Sequence, residues 1–201
     1  MSAPFFVGAR PGTRIAGERA LAALVDELTN SAPLVTAIGA NWRCVRAIAF
    51  DKSASGNWSL GWHQDRTIAV ARRIDTPEVA AAGFGTWTTK AGQPHVEPPF
   101  DLLARMVTLR LHLDDVTASN APLLVARASH RRGRIAECDI AKVVAECGRL
   151  ECRADAGDAW LYSTPILHAS ERSTANARRR VLQFDFSRDT LPCGLEWAGL
   201  G

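Results

Sequence analysis

Residues 106–113 carry the clearest alternation in the chain: Val107, Leu109, Leu111 and Leu113 interleave with Thr108, Arg110 and His112. A period of two sends these sets to opposite faces of a strand. Shorter runs of similar texture predict strands over 45–50, 67–72, 123–125, 150–152, 159–162 and 180–186. Turn-forming clusters separate them, among them Ser55-Gly56-Asn57, Asn120-Ala121-Pro122 and Ala156-Gly157-Asp158. Ahead of the strands the period changes. Leu21, Leu24, Val25 and Leu28 recur at helical spacing and predict a helix over 13–28, stopped by Asn30, Ser31 and Pro33. A second, short helix is expected over 139–146. Residues 75–99 show neither period and are rich in Gly and Pro. They predict a long loop, and loops of that length are uncommon in a compact domain unless they cover a site.

Many short strands behind one N-terminal helix predict a mainly β fold with flanking helices, a barrel or double-sheet jelly roll. The 201 residues suit one domain. We divide it into an N-terminal helical decoration (1–44), a jelly-roll core (45–187) and a C-terminal tail (188–201). With 47% hydrophobic and 22% charged residues, the chain can bury a core without disulfides. Its 24 Lys and Arg against 21 Asp and Glu give a net charge of +3. That is too mild and too dispersed for a dedicated nucleic-acid binder. No apolar run approaches the length of a membrane span, and residues 1–10 lack the pattern of a secretory signal. The five cysteines are odd in number and form no CxxC pair, so a reducing, cytoplasmic location is expected.

Chemistry concentrates in three places. In Trp62-His63-Gln64-Asp65, residues two apart point the same way on an extended segment, so His63 and Asp65 can offer a nitrogen and an oxygen to one metal. Far along the chain, Gly157-Asp158 opens a strand-like run that leads to His168. Then Arg178, Arg179 and Arg180 open an otherwise apolar strand. A charge at that position needs a partner or a purpose; a basic strand edge that resists unwanted pairing is the bland explanation. Two imidazoles and a carboxylate form the facial set that suits ferrous iron and leaves open positions for a chelating 2-oxo acid and dioxygen. The far carboxylate of such an acid needs a fixed cation, and Arg supplies a rigid fork.

HxD, a long gap, GD-strand-His and an Arg eleven residues on together resemble the phytanoyl-CoA dioxygenase family of Fe(II)/2-oxoglutarate oxygenases. The likeness extends to Leu113-Asp114-Asp115, Asn120-Ala121-Pro122-Leu123 and Ala128-Ser129-His130, and covers roughly residues 45–187. It implies a double-stranded β-helix core, with Fe(II), 2-oxoglutarate and O2 as cofactor and co-substrates. His63, Asp65 and His168 would be the iron ligands. Arg179 would anchor the 2-oxoglutarate carboxylate and Ser170 would hydrogen-bond it; Arg178 or Arg180 takes that role if the loop differs by one residue. Two positions depart from the pattern, Ala121 and Ala128, where the family has Gly, which makes a positive φ less comfortable there.

The expected reaction is oxidation of an unactivated C–H bond of a small metabolite, with release of succinate and CO2. Trp62 and Arg66 beside the HxD motif, and Trp87 and His95 in the long segment, are candidates for substrate contact. His112 shares a strand face with Arg110, a face that could line the interior, and is expected to be a hydrogen-bonded structural histidine. The alternatives are a metal-binding jelly roll without turnover and an oxygenase that modifies nucleic acid or protein. No membrane or nucleic-acid partner is expected.

Overall fold

The computed structural model describes Phe6 and residues 12–15, 19–175 and 177–200. Most of the first dozen residues of the N-terminal decoration lie outside these residues. The helix expected over 13–28 does not reach back to its predicted start, because β1 (Thr13–Arg14) is a short strand paired with Ala49 and Ile48. The helix is α1 (Arg19–Thr29). Pro33 does not close the helical region. It sits in the first turn of α2 (Ala32–Ile38), where its missing N–H costs no hydrogen bond.

The remaining elements are β2 (Arg43–Lys52), β3 (Leu60–His63), β4 (Ile68–Ala69), α3 (Pro77–Ala81), β5 (Gly85–Lys90), β6 (Gln93–Glu97), α4 (Phe100–Ala104), β7 (Val107–His112), β8 (Leu123–Ala126), α5 (Ile140–Cys147), β9 (Arg149–Cys152), β10 (Ala159–Ser163), β11 (His168–Ser170) and β12 (Arg179–Ser187). One antiparallel sheet runs β1-β2-β12-β7-β10 and a second β3-β11-β8-β9. Strands close in sequence alternate between these sheets, which is the double-stranded β-helix, or jelly roll. The outer face of the larger sheet carries Ala47, Ala49, Leu109, Leu182, Phe184 and Phe186, packed under Leu21, Val25 and Leu34 of the two N-terminal helices. No helix among the described residues is long and apolar enough to cross a membrane.

The long loop expected over 75–99 is not a loop. It holds α3 and the hairpin β5–β6, which pairs with β4 in a third, three-stranded sheet. The hairpin turns through Ala91 and Gly92, both at positive φ (52° and 79°). Two successive positive φ values give the tight turn that matches strand twist, and Ala-Gly is a weak signal for it compared with Asn-Gly.

The inner face of the larger sheet differs sharply from the outer. Its cross-strand rows read Lys52–Arg179, Phe50–Val181–His112, Ile48–Gln183–Arg110 and Arg46–Asp185–Thr108. The polar set of the 106–113 alternation therefore points into the molecule, and Thr108, Arg110 and His112 are all buried.

Candidate metal centre and its cavity

His63 ends β3 and His168 begins β11, and the two residues pair directly across the antiparallel strands. Their ring centroids lie 4.2 Å apart. Asp65 follows two residues beyond β3, and one potential ligand atom from each of the three falls within 4.8 Å of the others. The intervening Gln64 turns the other way and locks the segment. Its amide donates to Pro165 O (2.9 Å) and Gly133 O (3.1 Å) and accepts from Ile135 N (2.9 Å). The Ser129 hydroxyl, fully buried, accepts from Leu167 N at 2.8 Å and steadies the entry to β11.

Both imidazoles face their Nδ1 to a backbone carbonyl, His63 to Gly61 O (2.7 Å) and His168 to Ile166 O (3.0 Å). An Nδ1–H donor in each case leaves the Nε2 lone pair free, the orientation that metal-binding histidines adopt. Burial, above all, pushes the His168 pKa down to about 4, so the ring is a neutral donor at ordinary pH. Burial would raise the pKa of Asp65, but Arg46 and then the two histidines outweigh it and hold the carboxyl well below the usual range. Arg46 donates to Asp65 Oδ2 at 2.9 Å and also to Asp185, which accepts from Thr108 Oγ1 at 2.9 Å. The donor set fits a borderline metal such as ferrous iron: neutral nitrogens, an ionised oxygen, and a buried ion-pair network that fixes the carboxylate.

The three residues stand at the head of a cavity of about 160 Å³ that runs between the sheets past Arg110, Gln183 and Ser170 to Arg179. Of the three consecutive arginines, the outer two are tied to surface carboxylates. Arg178 forks onto Asp51 (2.9 and 2.7 Å) and Arg180 onto Asp114 (2.9 and 2.6 Å). Arg179 alone turns inward and is 2% exposed. It donates to the carbonyl of Ala121, which reaches it from a left-handed backbone position (φ 49°), while its Nε has no partner. Ala128 is also left-handed (φ 57°), so both alanines occupy the conformation that glycine would hold more comfortably. Burial and then Arg110 bring the Arg179 pKa down to about 9. Its register partner Lys52 is wholly buried and donates to Ser170 Oγ (3.2 Å) and Glu171 O. Burial, then Arg179 and Arg110, bring Lys52 down to about 7. Among the described residues, neither Arg179 nor Lys52 meets a carboxylate.

On the other side of His63 and Asp65, a cleft of about 590 Å³ opens to solvent, lined by Trp62, Arg66, Lys90 and Glu137. Arg66 is held by Ile135 O at 2.7 Å. Trp87 and His95 line neither space. Trp87 packs on the third sheet's apolar cluster under Arg73, and His95 is fully buried in β6 with Nδ1 on Gln93 O at 2.9 Å. His112 lies inside the barrel, but the hydrogen bonds expected of a structural histidine are missing: neither ring nitrogen has a partner among the described residues. Sequence reasoning missed Arg46, Lys52 and the clamp at Gln64. A signal was present: Arg46 and Lys52 share the period-two face of Ile48 and Phe50 and bracket it with charge.

Solved structures share this arrangement of sheets. Examples are EctD from S. alaskensis with bound Fe (17% identity, 84% of this chain and 54% of that one, TM-score 0.57), AviO1 from Streptomyces viridochromogenes Tue57 (17%, 94% and 73%, 0.58) and HygX from Streptomyces hygroscopicus with nickel and 2-oxoglutarate bound (14%, 90% and 71%, 0.53). The chain thus spans between about half and three quarters of the length of these proteins. No curated protein matches it in sequence. The model of the family described as phytanoyl-CoA dioxygenase matches residues 9–181, most of the chain, and the chain belongs to that family.

Proposed function

We propose that the protein is a non-haem Fe(II)/2-oxoglutarate-dependent oxygenase that oxidises an unactivated C–H bond of a small molecule. The observation that carries this reading is one cavity with the cluster of His63, Asp65 and His168 at its head and, at its far end, a buried guanidinium that meets no carboxylate among the described residues. A metal-storage site has no use for the second feature. Bound iron with 2-oxoglutarate supplies dioxygen activation coupled to oxidative decarboxylation of the co-substrate.

The chain's own residues do the rest. His63, Asp65 and His168 present two Nε2 lone pairs and one carboxylate oxygen from one side, which leaves the opposite side open. Arg46 holds the Asp65 carboxylate ionised and fixed in direction. Arg179 takes the distal carboxylate of 2-oxoglutarate in a charge-assisted fork, and Ser170, oriented by Lys52, adds a hydroxyl. The walls of the narrow cavity exclude water from the co-substrate. The primary substrate enters through the open cleft, where Trp62 offers a flat apolar surface and Arg66 a charge. HygX carries nickel and 2-oxoglutarate and EctD carries Fe on the same fold, which supports this choice of cofactors. Five free cysteines suit a cytoplasmic location.

The test is an anaerobic titration of the metal-free protein with Fe(II) and then 2-oxoglutarate, following the weak visible charge-transfer absorption of the chelate. The band is expected in the wild type and absent in His63→Ala. Iron binding without a band would return the protein to the class of metal-binding jelly rolls and deprive Arg179 of its role.

A further inference from the structure

One buried charge stays without a partner after these roles are assigned. Arg110 on β7 is 5% exposed and lines the same cavity as His168, Ser170 and Arg179. Within the protein its neighbours are neutral: Nη1 donates to Oε1 of Gln183 at 3.0 Å, and the buried Tyr162 hydroxyl lies beside the guanidinium. Its Nε is buried without a partner. The carboxyl on that face, Asp185, already accepts from Arg46, Thr108 and Gln183. The guanidinium is nevertheless held in place, stacked 4.8 Å over the Phe50 ring.

A buried guanidinium without a counter-charge is costly to the fold. Arg110 adds to that cost by facing the cavity that Arg179 also faces, where like charges repel. Such an arrangement persists in a native fold when a ligand supplies the missing charge. A carboxylate has two oxygens and about four lone-pair sites, more than one Arg fork can use.

We propose that Arg110 is a second anchor for the distal carboxylate of the bound 2-oxo acid, and that it closes on that carboxylate from β7 while Arg179 holds it from β12. Gln183 is its positioning residue, since its amide bridges Arg110 to Asp185 and so to the Arg46–Asp65 network. The proposal rests on the cofactor reading above. It makes the protein select for dicarboxylic 2-oxo acids more strongly than a single-arginine pocket would.

The experiment is calorimetric binding to the Fe(II)-loaded protein under anaerobic conditions, with two probes. One is 2-oxoglutarate; the other is 2-oxopentanoate, the same carbon chain without the distal carboxylate. Arg110→Met is expected to weaken 2-oxoglutarate by about tenfold to a hundredfold, the worth of one charge-assisted interaction, and to leave 2-oxopentanoate and Fe(II) affinity unchanged. Arg110→Lys, which keeps the charge and loses the fork, is expected between wild type and Met and guards against a folding defect in the first variant. Unchanged 2-oxoglutarate affinity in both variants overturns the proposal. So does equal weakening of both probes, since the distal group would then not be what Arg110 reads. Wild-type protein that binds Fe(II) but not 2-oxoglutarate overturns the cofactor reading, and the proposal with it.

Discussion

The two faces of the larger sheet are both buried, and they are built from opposite chemistry. Outward, Leu109, Leu182, Phe184 and Phe186 meet α1 and α2 in an ordinary apolar core. Inward, one residue along on the same strands, the rows Lys52–Arg179, Ile48–Gln183–Arg110 and Arg46–Asp185–Thr108 place charge after charge in the interior. The outer face stabilises the fold through area removed from water. The inner face makes folding harder, a cost that the proposed site would account for. Stability and function are thereby separated by the pleat of single strands, and substitutions on the two faces should fail in different ways.

The largest contrast lies between Phe184 and His168. Phe184→Ala removes a fully buried ring from the outer core and is expected to cost about 3–5 kcal/mol in urea denaturation. Molecules that remain folded should bind Fe(II) as before. His168→Ala is expected to weaken Fe(II) by more than about a hundredfold and to leave the denaturation midpoint of the metal-free protein close to wild type. Loss of metal binding in folded Phe184→Ala would show that the two faces are coupled through the sheet.

Next in size is Arg179→Ala, expected to raise the 2-oxoglutarate requirement by about tenfold or more, one charge-assisted hydrogen bond being worth roughly 1.5–3 kcal/mol. Apparent affinity for 2-oxoglutarate, measured by calorimetry, checks it. An unchanged affinity would place the anchor elsewhere on the inner face.

The contrast also explains what was legible in the sequence. Alternation over 106–113 gave the strand and its two faces correctly, since period two is a local property of the backbone. It left open whether the polar face looks inward, as raised for His112, because a half-buried sheet and a sheet with a polar cavity share one pattern. The candidate residues His63, Asp65 and His168 could be picked out from residue types, and the fold brings them together, although the contact of His63 with His168 depends on strands more than a hundred residues apart. Arg179 could be singled out among its neighbours only through the register, which ties Arg178 to Asp51 and Arg180 to Asp114. Arg46 and Lys52 were hidden because each sits at the end of a run whose apolar members dominate the reading. The hairpin within 75–99 escaped because its turn uses Ala91 where Asn or Asp is the usual cue.

Lys52 gives a smaller effect with a defined sign. Its pKa falls from 10.5 to about 7 on folding, mainly through burial and then through Arg179 and Arg110. Between those values the unfolded chain binds the proton and the native one does not, so stability rises with pH across the window. Below about pH 7 both states carry the charge and this contribution is flat. The metal-free wild type should therefore gain stability from pH 7 towards 10, and Lys52→Met should lose that part of the slope. Urea midpoints of the two proteins, compared at several pH values, isolate the contribution of Lys52 from groups they share. Identical slopes would mean that the ammonium stays charged in the native state.

The smallest effect is expected one residue from Arg179. Arg178 is half exposed and forks onto Asp51 at the mouth of β12. An exposed pair of this kind contributes at most about 1 kcal/mol, so Arg178→Ala should shift the urea midpoint slightly and leave 2-oxoglutarate affinity at the wild-type value. Successive residues on a strand face opposite ways, so one position divides a residue of the site from one of the surface. If Arg178→Ala impaired co-substrate binding and Arg179→Ala did not, β12 would have to slide by one residue. That slide would carry Phe184 and Phe186 into the cavity and Asp185 into the apolar core, at the cost of a buried, unpaired carboxylate. The register is therefore held by the outer face, and what that face specifies is which of three consecutive arginines enters the site.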